Sequence, residues 1–167
     1  ADHPPAKILL ASEERDFAPH TVDYAARLSA RTRAPVHVFV IDSQGAIDNA
    51  SDMNAQRAWL QAGLAASTAT WKIVVFHHPP FSSSTVHGST PSMAWPFAAW
   101  GADLVLNGHD HTYERVERDG ATYIVDGLGG APRYTFGTPV TGSTARYNAD
   151  FGALRWRVDR TTLTSEL

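Results

Sequence analysis

Four short apolar runs limit what this chain can fold into. Each is rich in Val, Ile, Leu or Phe, and each is followed at once by a polar residue. Runs this short predict buried strands rather than helices. The four runs are residues 7–11, 36–41, 71–76 and 102–106.

Helical periodicity links these predicted strands. Apolar residues recur at helical spacing in residues 21–32 and 55–67, and a shorter helix is predicted over residues 93–100. Units of strand, helix and strand place their strands parallel and adjacent in one sheet. The polar residues 42–54 are expected to form a connection without regular structure.

The C-terminal part of the chain has a different pattern, with short strands separated by turns. The pair Asp119-Gly120 favours a hairpin turn between residues 115–118 and 122–125. Residues 152–158 and 162–165 predict a terminal hairpin. The predicted fold class is therefore α/β, with a mixed sheet of N-terminal parallel βαβ units and C-terminal antiparallel strands. A length of 167 residues predicts a single domain over residues 1–167.

Composition excludes several classes of function. The chain has no Cys, which excludes thiolate metal sites and disulfides. A formal net charge of −3 gives no basic excess for binding nucleic acid. No apolar run is long enough to cross a membrane, and the first residues lack the basic start and apolar core of a signal peptide. We therefore expect a soluble protein whose localisation stays open, with no nucleic-acid or membrane partner.

Histidines follow two of the predicted strands. His77 comes directly after residues 71–76, and His109 and His111 follow residues 102–106. The carboxyl ends of parallel strands converge at one crevice of an α/β sheet. His109 and His111 share a side of an extended segment, because side chains alternate with period two. Imidazole is a common ligand of zinc and also suits iron. These residues predict a metal site, although a histidine pair spaced by one residue also occurs in surface hairpins.

Longer motifs surround these histidines. They are WKIVVFHHPPFSSS, STVHGST, WGADLVLNGHDHTYER and YIVDGLGG, in this order. From about Val36 onward the chain resembles the C-terminal half of calcineurin-like metallophosphoesterases, with the purple acid phosphatases as the most similar subgroup. The resemblance implies half of a metallophosphoesterase sandwich and hydrolysis of small phosphate esters. It also implies a divalent or trivalent metal, with zinc favoured and iron or manganese as alternatives.

The resemblance implies a role for several residues. His77, His109 and His111 match the metal ligands of the family, whereas His78 stands at a position that is not a ligand and is expected to pack in the loop. His87 matches a histidine that contacts phosphate or protonates the leaving group. Its other interpretation is a solvated loop residue.

Two charged residues beside the histidine pair are further catalytic candidates. Asp110 lies between His109 and His111, and Arg115 follows them. A guanidinium group can pair with phosphate through two hydrogen bonds. The alternative for both residues is a structural role in strand pairing.

The family's N-terminal ligand motifs are missing. These enzymes normally hold two metals, and the other ligands come from D-x-H, G-D and G-N-H motifs, none of which occurs here. Residues 6–41 instead resemble the opening of a universal stress protein, which divides the chain into residues 1–41 and 42–167. Three histidines suffice for one metal with an open position. Further ligands would come from Glu13, Glu14 or Asp16, whose other interpretation is that they are solvated loop charges, or from the other subunit of a homodimer.

Three functions follow from these patterns. The favoured one is a metal-dependent phosphoesterase with a reduced, histidine-rich site. The second is a metal-binding remnant without catalysis, which the missing carboxylates favour. The third is a nucleotide-binding module of the stress-protein type, for which residues 127–130 are the nearest glycine cluster.

Overall fold

The computed structural model of the protein describes residues 8–12 and 36–167. The described strands are β1 (Ile8–Ser12), β2 (Val36–Val40), β3 (Trp71–Val75), β4 (Leu104–Asn107), β5 (Tyr113–Arg118), β6 (Ala121–Asp126), β7 (Ser143–Tyr147), β8 (Arg155–Val158) and β9 (Leu163–Glu166). The described helices are α1 (Ser43–Asp48), α2 (Ala50–Ala66) and a 3₁₀ helix over Pro91–Met93. None of the helices in these residues is long and apolar enough to span a membrane.

Seven of the described strands form one sheet in the order β1-β2-β3-β4-β6-β5-β7. The first five of these run parallel, whereas β5 is antiparallel to both β6 and β7. Asp119 and Gly120 turn the β5–β6 hairpin with φ angles of 53° and 91°. Positive φ at both central residues is the conformation that Asp-Gly favours in such turns. The predicted mixed α/β fold is confirmed.

Each face of the sheet buries a separate apolar cluster. One cluster joins Phe39, Val74 and Val105 of the sheet to Leu60 and Leu64 of α2. The opposite cluster contains Val36, Ile73, Leu104 and Ile124, and Trp156 and Leu163 of the β8–β9 hairpin pack against it. The central strands are therefore buried on both faces, which explains their nearly continuous apolar sequence.

Two predictions about local structure were wrong. Residues 42–54 form α1 and the start of α2, because Asp42 accepts a hydrogen bond from the Gly45 N–H and Asn49 accepts one from the Ser51 N–H. Such N-caps start helices without any apolar periodicity. Residues 93–100 lack the predicted α-helix and form turns after the 3₁₀ helix. Pro96 lacks the N–H that a helix interior requires.

Several predictions concern residues outside those that the structure describes. The helix over residues 21–32 lies there, as does most of the stress-protein-like segment, including Glu13, Glu14 and Asp16. Strand β1 belongs to that segment and is described, and it pairs in parallel with β2 over five residues. The parallel pairing expected from the first βαβ unit is therefore observed.

Candidate metal centre

The candidate site lies at the carboxyl ends of β3 and β4. The parallel pairing of these strands continues past their ends, since the Phe76 N–H donates to Leu106 and the Gly108 N–H donates to His77. His77 directly follows Phe76, and His109 directly follows Gly108. The sheet therefore brings the two histidines to the same edge, although 32 residues separate them.

Three imidazoles meet at this edge. The Nε2 atom of His77 lies 3.0 Å from the Nδ1 atom of His109. The ring of His78 lies 4.4 Å from the ring of His109 and 5.0 Å from that of His77. One nitrogen from each of the three residues lies within 4.8 Å of the other two, a spacing that can hold a metal ion. We call these three residues, His77, His78 and His109, the histidine triplet.

His78 was expected to pack in the loop, and the structure places it in the triplet. Its Nδ1 atom lies 2.8 Å from the Oγ atom of Ser43, and its backbone N–H donates to the same oxygen at 3.2 Å. Ser43 is only 2% exposed and begins α1, just beyond the end of β2. The sequence held a signal for this arrangement, because both residues follow parallel strands and so reach the same sheet edge.

The main chain at His109 has a left-handed conformation with a φ angle of 65°. This region is unfavourable for residues other than glycine, and such conformations cluster at functional sites. Burial lowers the pKa of His109 to about 4, with further lowering from His87, His78 and His77. Burial also lowers the pKa of His78, and His77 lowers it further. These two rings are therefore neutral at pH 7, and neutral imidazole is the form that binds metals.

His111 lies outside the triplet. Its Nδ1–H donates to the carbonyl oxygen of Pro132 at 2.8 Å, and its ring stacks on Tyr134 with 4.2 Å between the centroids. The Tyr134 N–H donates to the backbone oxygen of His111 at 3.0 Å. Residues 132–134 therefore hold both the ring and the main chain of His111. Tyr134 was not identified from the sequence, which offers no signal for this contact.

His87 lies beside the triplet, with its ring 4.0 Å from that of His109. It is exposed and belongs to a loop that contains no regular structure. The edge of its ring also faces Tyr134 at 5.6 Å. The structure therefore brings His87 next to the histidine triplet.

Asp110 holds the loop that carries His87. Its carboxylate is fully buried and accepts hydrogen bonds from the Ser82 hydroxyl at 2.6 Å, the Gly88 N–H at 3.1 Å and the His87 N–H at 3.3 Å. Such charge-assisted bonds are stronger than neutral ones. Asp110 therefore contacts the loop rather than the histidine rings.

Glu114 anchors the same loop from β5. It is fully buried and accepts hydrogen bonds from the backbone and the hydroxyl of Ser83 and from the hydroxyl of Ser143. Arg115 points to the other face of β5, where its Nε–H donates to Glu117 at 2.6 Å. The two neighbouring residues thus have separate surroundings, since side chains of a strand alternate between its faces.

Two glycines near the site differ in the space around them. A Cβ atom at Gly127 would lie 2.1 Å from the backbone oxygen of Asp110 and 3.0 Å from the Cα of His111. A Cβ atom at Gly129 would meet nothing within 4 Å among the described residues. The loop containing the histidine pair therefore packs directly on the main chain of Gly127.

An open groove of about 500 Å³ lies beside His77, at the carboxyl ends of β2, β3 and β4. Its described lining is mostly apolar and includes Ile41, Phe76, Leu106 and Trp156. Within the described residues, no carboxylate joins the histidine triplet. The described part of the site thus combines a cluster of imidazoles with a groove whose lining is mostly apolar and also includes Asp126.

The comparisons with known proteins agree on one family. The model of the calcineurin-like phosphoesterase family matches residues 9–113. Purple acid phosphatase 18 of Arabidopsis thaliana is 27% identical over 140 residues, which cover 68% of this chain and 31% of the relative. Purple acid phosphatase 4 of the same plant is 43% identical over 61 residues, covering 34% of this chain and 18% of the relative. The chain spans less than a third of the length of these two relatives.

Solved structures share the fold. GAP50, the anchor in the inner membrane complex of Plasmodium, superposes with a TM-score of 0.66 at 20% identity, covering 77% of this chain and 43% of that protein. The purple acid phosphatase PPD1 from yellow lupin (Lupinus luteus) seeds superposes with a TM-score of 0.53 at 21% identity, covering 60% of this chain and 23% of that protein. At these identities the likeness establishes the fold alone.

Proposed function

This chain belongs to the calcineurin-like phosphoesterase family, and from this premise we propose that it is a metal-dependent hydrolase of small phosphate esters. One observation carries the proposal. Ring nitrogens of His77 and His109 face each other at 3.0 Å, at the carboxyl ends of adjacent parallel strands. Two imidazole nitrogens held this close suit a shared metal ion.

The donor set fits a borderline divalent metal. The triplet offers imidazole nitrogens, and the low pKa of His109 keeps its ring neutral. Zinc prefers nitrogen ligands of this kind, whereas hard ions such as trivalent iron or manganese prefer oxygen. We therefore propose zinc, held by His77, His109 and a third histidine. For the third position, the resemblance favours His111 and the spacing favours His78. When bound, such a metal lowers the pKa of water and draws charge from phosphoryl oxygens.

His87 is the proposed proton donor to the leaving oxygen of the ester, or a contact to its phosphate. Its ring lies 4.0 Å from that of His109, so it borders the space in front of the triplet. A histidine is an efficient general acid near neutral pH. Asp110 supports this role by accepting the backbone N–H of His87, which makes it a positioning residue in the proposal.

Arg115 is proposed to bind phosphate through its Nη groups. Its Nε–H is donated to Glu117, which leaves the two terminal nitrogens to face other partners. Its side chain is 43% exposed and therefore accessible from solvent. A planar guanidinium is suited to bidentate contact with phosphate oxygens.

The organic part of the ester is proposed to lie in the groove beside His77. The apolar lining by Ile41, Phe76 and Trp156 favours an apolar or aromatic group over a sugar. Small aryl phosphates therefore combine both requirements: a phosphoryl group for the metal site and an apolar body for the groove.

Turnover of p-nitrophenyl phosphate tests this proposal. We expect the wild-type protein to hydrolyse it, to lose the activity with a chelator and to regain it with zinc. His109→Ala should abolish the activity, whereas His37→Gln provides a matched control, because His37 bonds to Ser67 away from the triplet. Equal turnover in the wild-type protein and His109→Ala would contradict the proposal.

A metal-binding protein without catalysis is the second candidate. It is favoured by the absence of carboxylates from the triplet in the described residues and by the small share of the relatives that the chain spans. Zinc binding without any turnover of p-nitrophenyl phosphate would support this candidate over the hydrolase.

A second metal ion, in addition to the one at the triplet, would need ligands from outside the triplet. Glu13, Glu14 and Asp16 follow β1, and a homodimer would bring in a second chain. Light scattering of the purified protein measures its mass, and a monomer that retains full activity would exclude the second chain as a source. The stress-protein resemblance of residues 6–41 remains a proposal, and a rise in melting temperature with ATP would support a nucleotide site there.

A further inference from the structure

We infer that the third metal ligand of this protein is His78 and not His111, and that Ser43 orients the ring of His78. The inference rests on the proposed metal dependence and makes it specific. It predicts one metal ion bound by neighbouring residues His77 and His78 of one loop together with His109. This ligand set departs from the one that the family resemblance implies.

Proximity supports His78 first. One nitrogen of His78 lies within 4.8 Å of nitrogens of both His77 and His109. The ring of His78 is also nearer to that of His109 than the ring of His77 is, at 4.4 Å against 4.8 Å. A spacing of this size can hold one metal ion.

Ser43 supplies the second support. Metal-binding histidines almost always donate their other ring N–H to an oxygen, which fixes the tautomer and the ring orientation. The Oγ atom of Ser43 lies 2.8 Å from the Nδ1 atom of His78 and also accepts the His78 backbone N–H. If Nδ1–H is donated to this oxygen, the lone pair of Nε2 is left for a metal. Ser43 is 2% exposed, so water competes little for this contact.

His111 is held in a different place. Its Nδ1–H donates to Pro132, an arrangement that also suits a metal ligand, but no nitrogen of His111 belongs to the triplet. Its ring stacks on Tyr134, and its backbone oxygen accepts from the Tyr134 N–H. The preceding residue, Asp110, is fully buried under its three hydrogen bonds. The main chain also packs on Gly127 without room for a methyl group. Moving His111 into the triplet would break these contacts together.

The ligand set has a chemical consequence. Three neutral imidazoles leave the charge of a divalent ion unreduced, whereas carboxylate ligands would lower it. Zinc with three protein ligands keeps its fourth position open. A site of this charge attracts anions strongly, so phosphate esters and free phosphate both suit it.

Zinc titration of the metal-free protein, in competition with a chromophoric chelator, tests the ligand set. We expect one zinc per chain in the wild-type protein. Ser43→Ala removes a group that hydrogen-bonds a metal ligand, and such a loss typically weakens metal affinity by about 10–100-fold. His78→Ala removes the ligand itself and should weaken the zinc affinity at least as much. His111→Ala is the matched control and should retain the wild-type affinity.

Cobalt spectra and folding controls make the result unambiguous. Replacing zinc by Co²⁺ should give a visible spectrum that His78→Ala changes and His111→Ala preserves. Circular dichroism and melting of each metal-free variant show whether it is folded, and His78→Gln replaces His78→Ala if alanine unfolds the loop. Loss of zinc affinity in His111→Ala, or wild-type affinity in folded His78 variants, would overturn the inference while leaving metal dependence intact. A wild-type protein that binds no zinc would instead remove the proposed function itself.

Discussion

The Nε2 atom of His77 and the Nδ1 atom of His109 lie 3.0 Å apart at the ends of two adjacent parallel strands. The pairing of β3 with β4 brings the two residues together, because the Gly108 N–H donates to the backbone oxygen of His77. Two imidazole nitrogens at this distance can share one N–H···N hydrogen bond or bind one metal ion. Their arrangement therefore has consequences for stability as well as for metal binding.

The metal-free protein should lose stability in mild acid. The pKa of His109 is about 4 in the folded state against 6.5 for an ordinary histidine, mainly because the ring is buried. Below pH 6.5 the unfolded chain takes up a proton that the folded chain takes up only near pH 4. The free energy of unfolding therefore falls as the pH decreases between these values.

Urea unfolding with a chelator present measures this fall. His109→Gln cannot titrate, so its urea midpoint should decrease less than that of the wild-type protein between pH 6.5 and 4. If the urea midpoint decreases equally in the two proteins between pH 6.5 and 4, the assignment of the low pKa to His109 is contradicted.

Gly127→Ala should destabilise the loop that carries His109. The new methyl group would collide with the backbone of Asp110, which it would approach to 2.1 Å. Overpacking of this kind typically costs about 1–3 kcal/mol. Gly129→Ala is the matched control and should stay within about 0.5 kcal/mol, because its methyl group meets no described atom within 4 Å. Equal urea midpoints for the two variants would exclude this close packing.

Asp110→Asn should act on catalysis through His87. An amide replaces one acceptor oxygen by a donor that faces the donors Ser82 and Gly88, so the loop should shift. Loss of a general acid typically lowers kcat by about 10²–10⁴-fold, which is the effect we expect for His87→Ala. Because Asp110 positions His87, the double variant should lose little more than His87→Ala alone.

Steady-state kinetics of this mutant cycle provide the test. Ser82→Ala is the control, since it removes one donor but keeps the two backbone hydrogen bonds to Asp110. If the fold reduction in kcat of the double variant equals the product of the reductions in the two single variants, Asp110 and His87 act independently.

Arg115→Ala should weaken phosphate binding without unfolding the protein. A hydrogen bond to a charged group contributes roughly 1.5–3 kcal/mol, so KM for an aryl phosphate should rise about tenfold or more. The exposed ion pair with Glu117 contributes at most about 1 kcal/mol to stability. Glu117→Ala breaks the same ion pair and keeps the guanidinium group. If both variants change KM equally, Arg115 acts only through its ion pair.

Much of the site's placement was predictable from local sequence. The apolar runs 71–76 and 102–106, followed by His77 and His109, indicated buried parallel strands, and parallel strands bring their carboxyl ends together. The turn at Asp119-Gly120 was equally direct, because few residue pairs adopt positive φ at both positions.

The directions of individual side chains were not predictable. His109 adopts a positive φ that the sequence does not signal, and this turn separates it from His111 in space. His78 enters the triplet because Ser43, from a different strand end, holds its ring. Both effects depend on tertiary contacts rather than on residue spacing.

The burial of the Glu114 carboxylate was not predictable from the sequence either. Alternation along β5 places Glu114 and Arg115 on opposite faces, but periodicity alone cannot decide which face is buried. The inner residue is Glu114, because the hydroxyls of Ser83 and Ser143 satisfy its oxygens. A charged residue is buried only with such partners, and those lie 31 and 29 residues away along the chain.

One measurement tests the central claim most directly: the turnover of p-nitrophenyl phosphate by chelator-treated protein during stepwise addition of zinc. A metal-dependent phosphoesterase built on the histidine triplet should regain activity in proportion to zinc and reach a plateau at one equivalent per chain. Turnover that stays at the background rate at every zinc concentration, or that is already complete before zinc is added, would contradict this account.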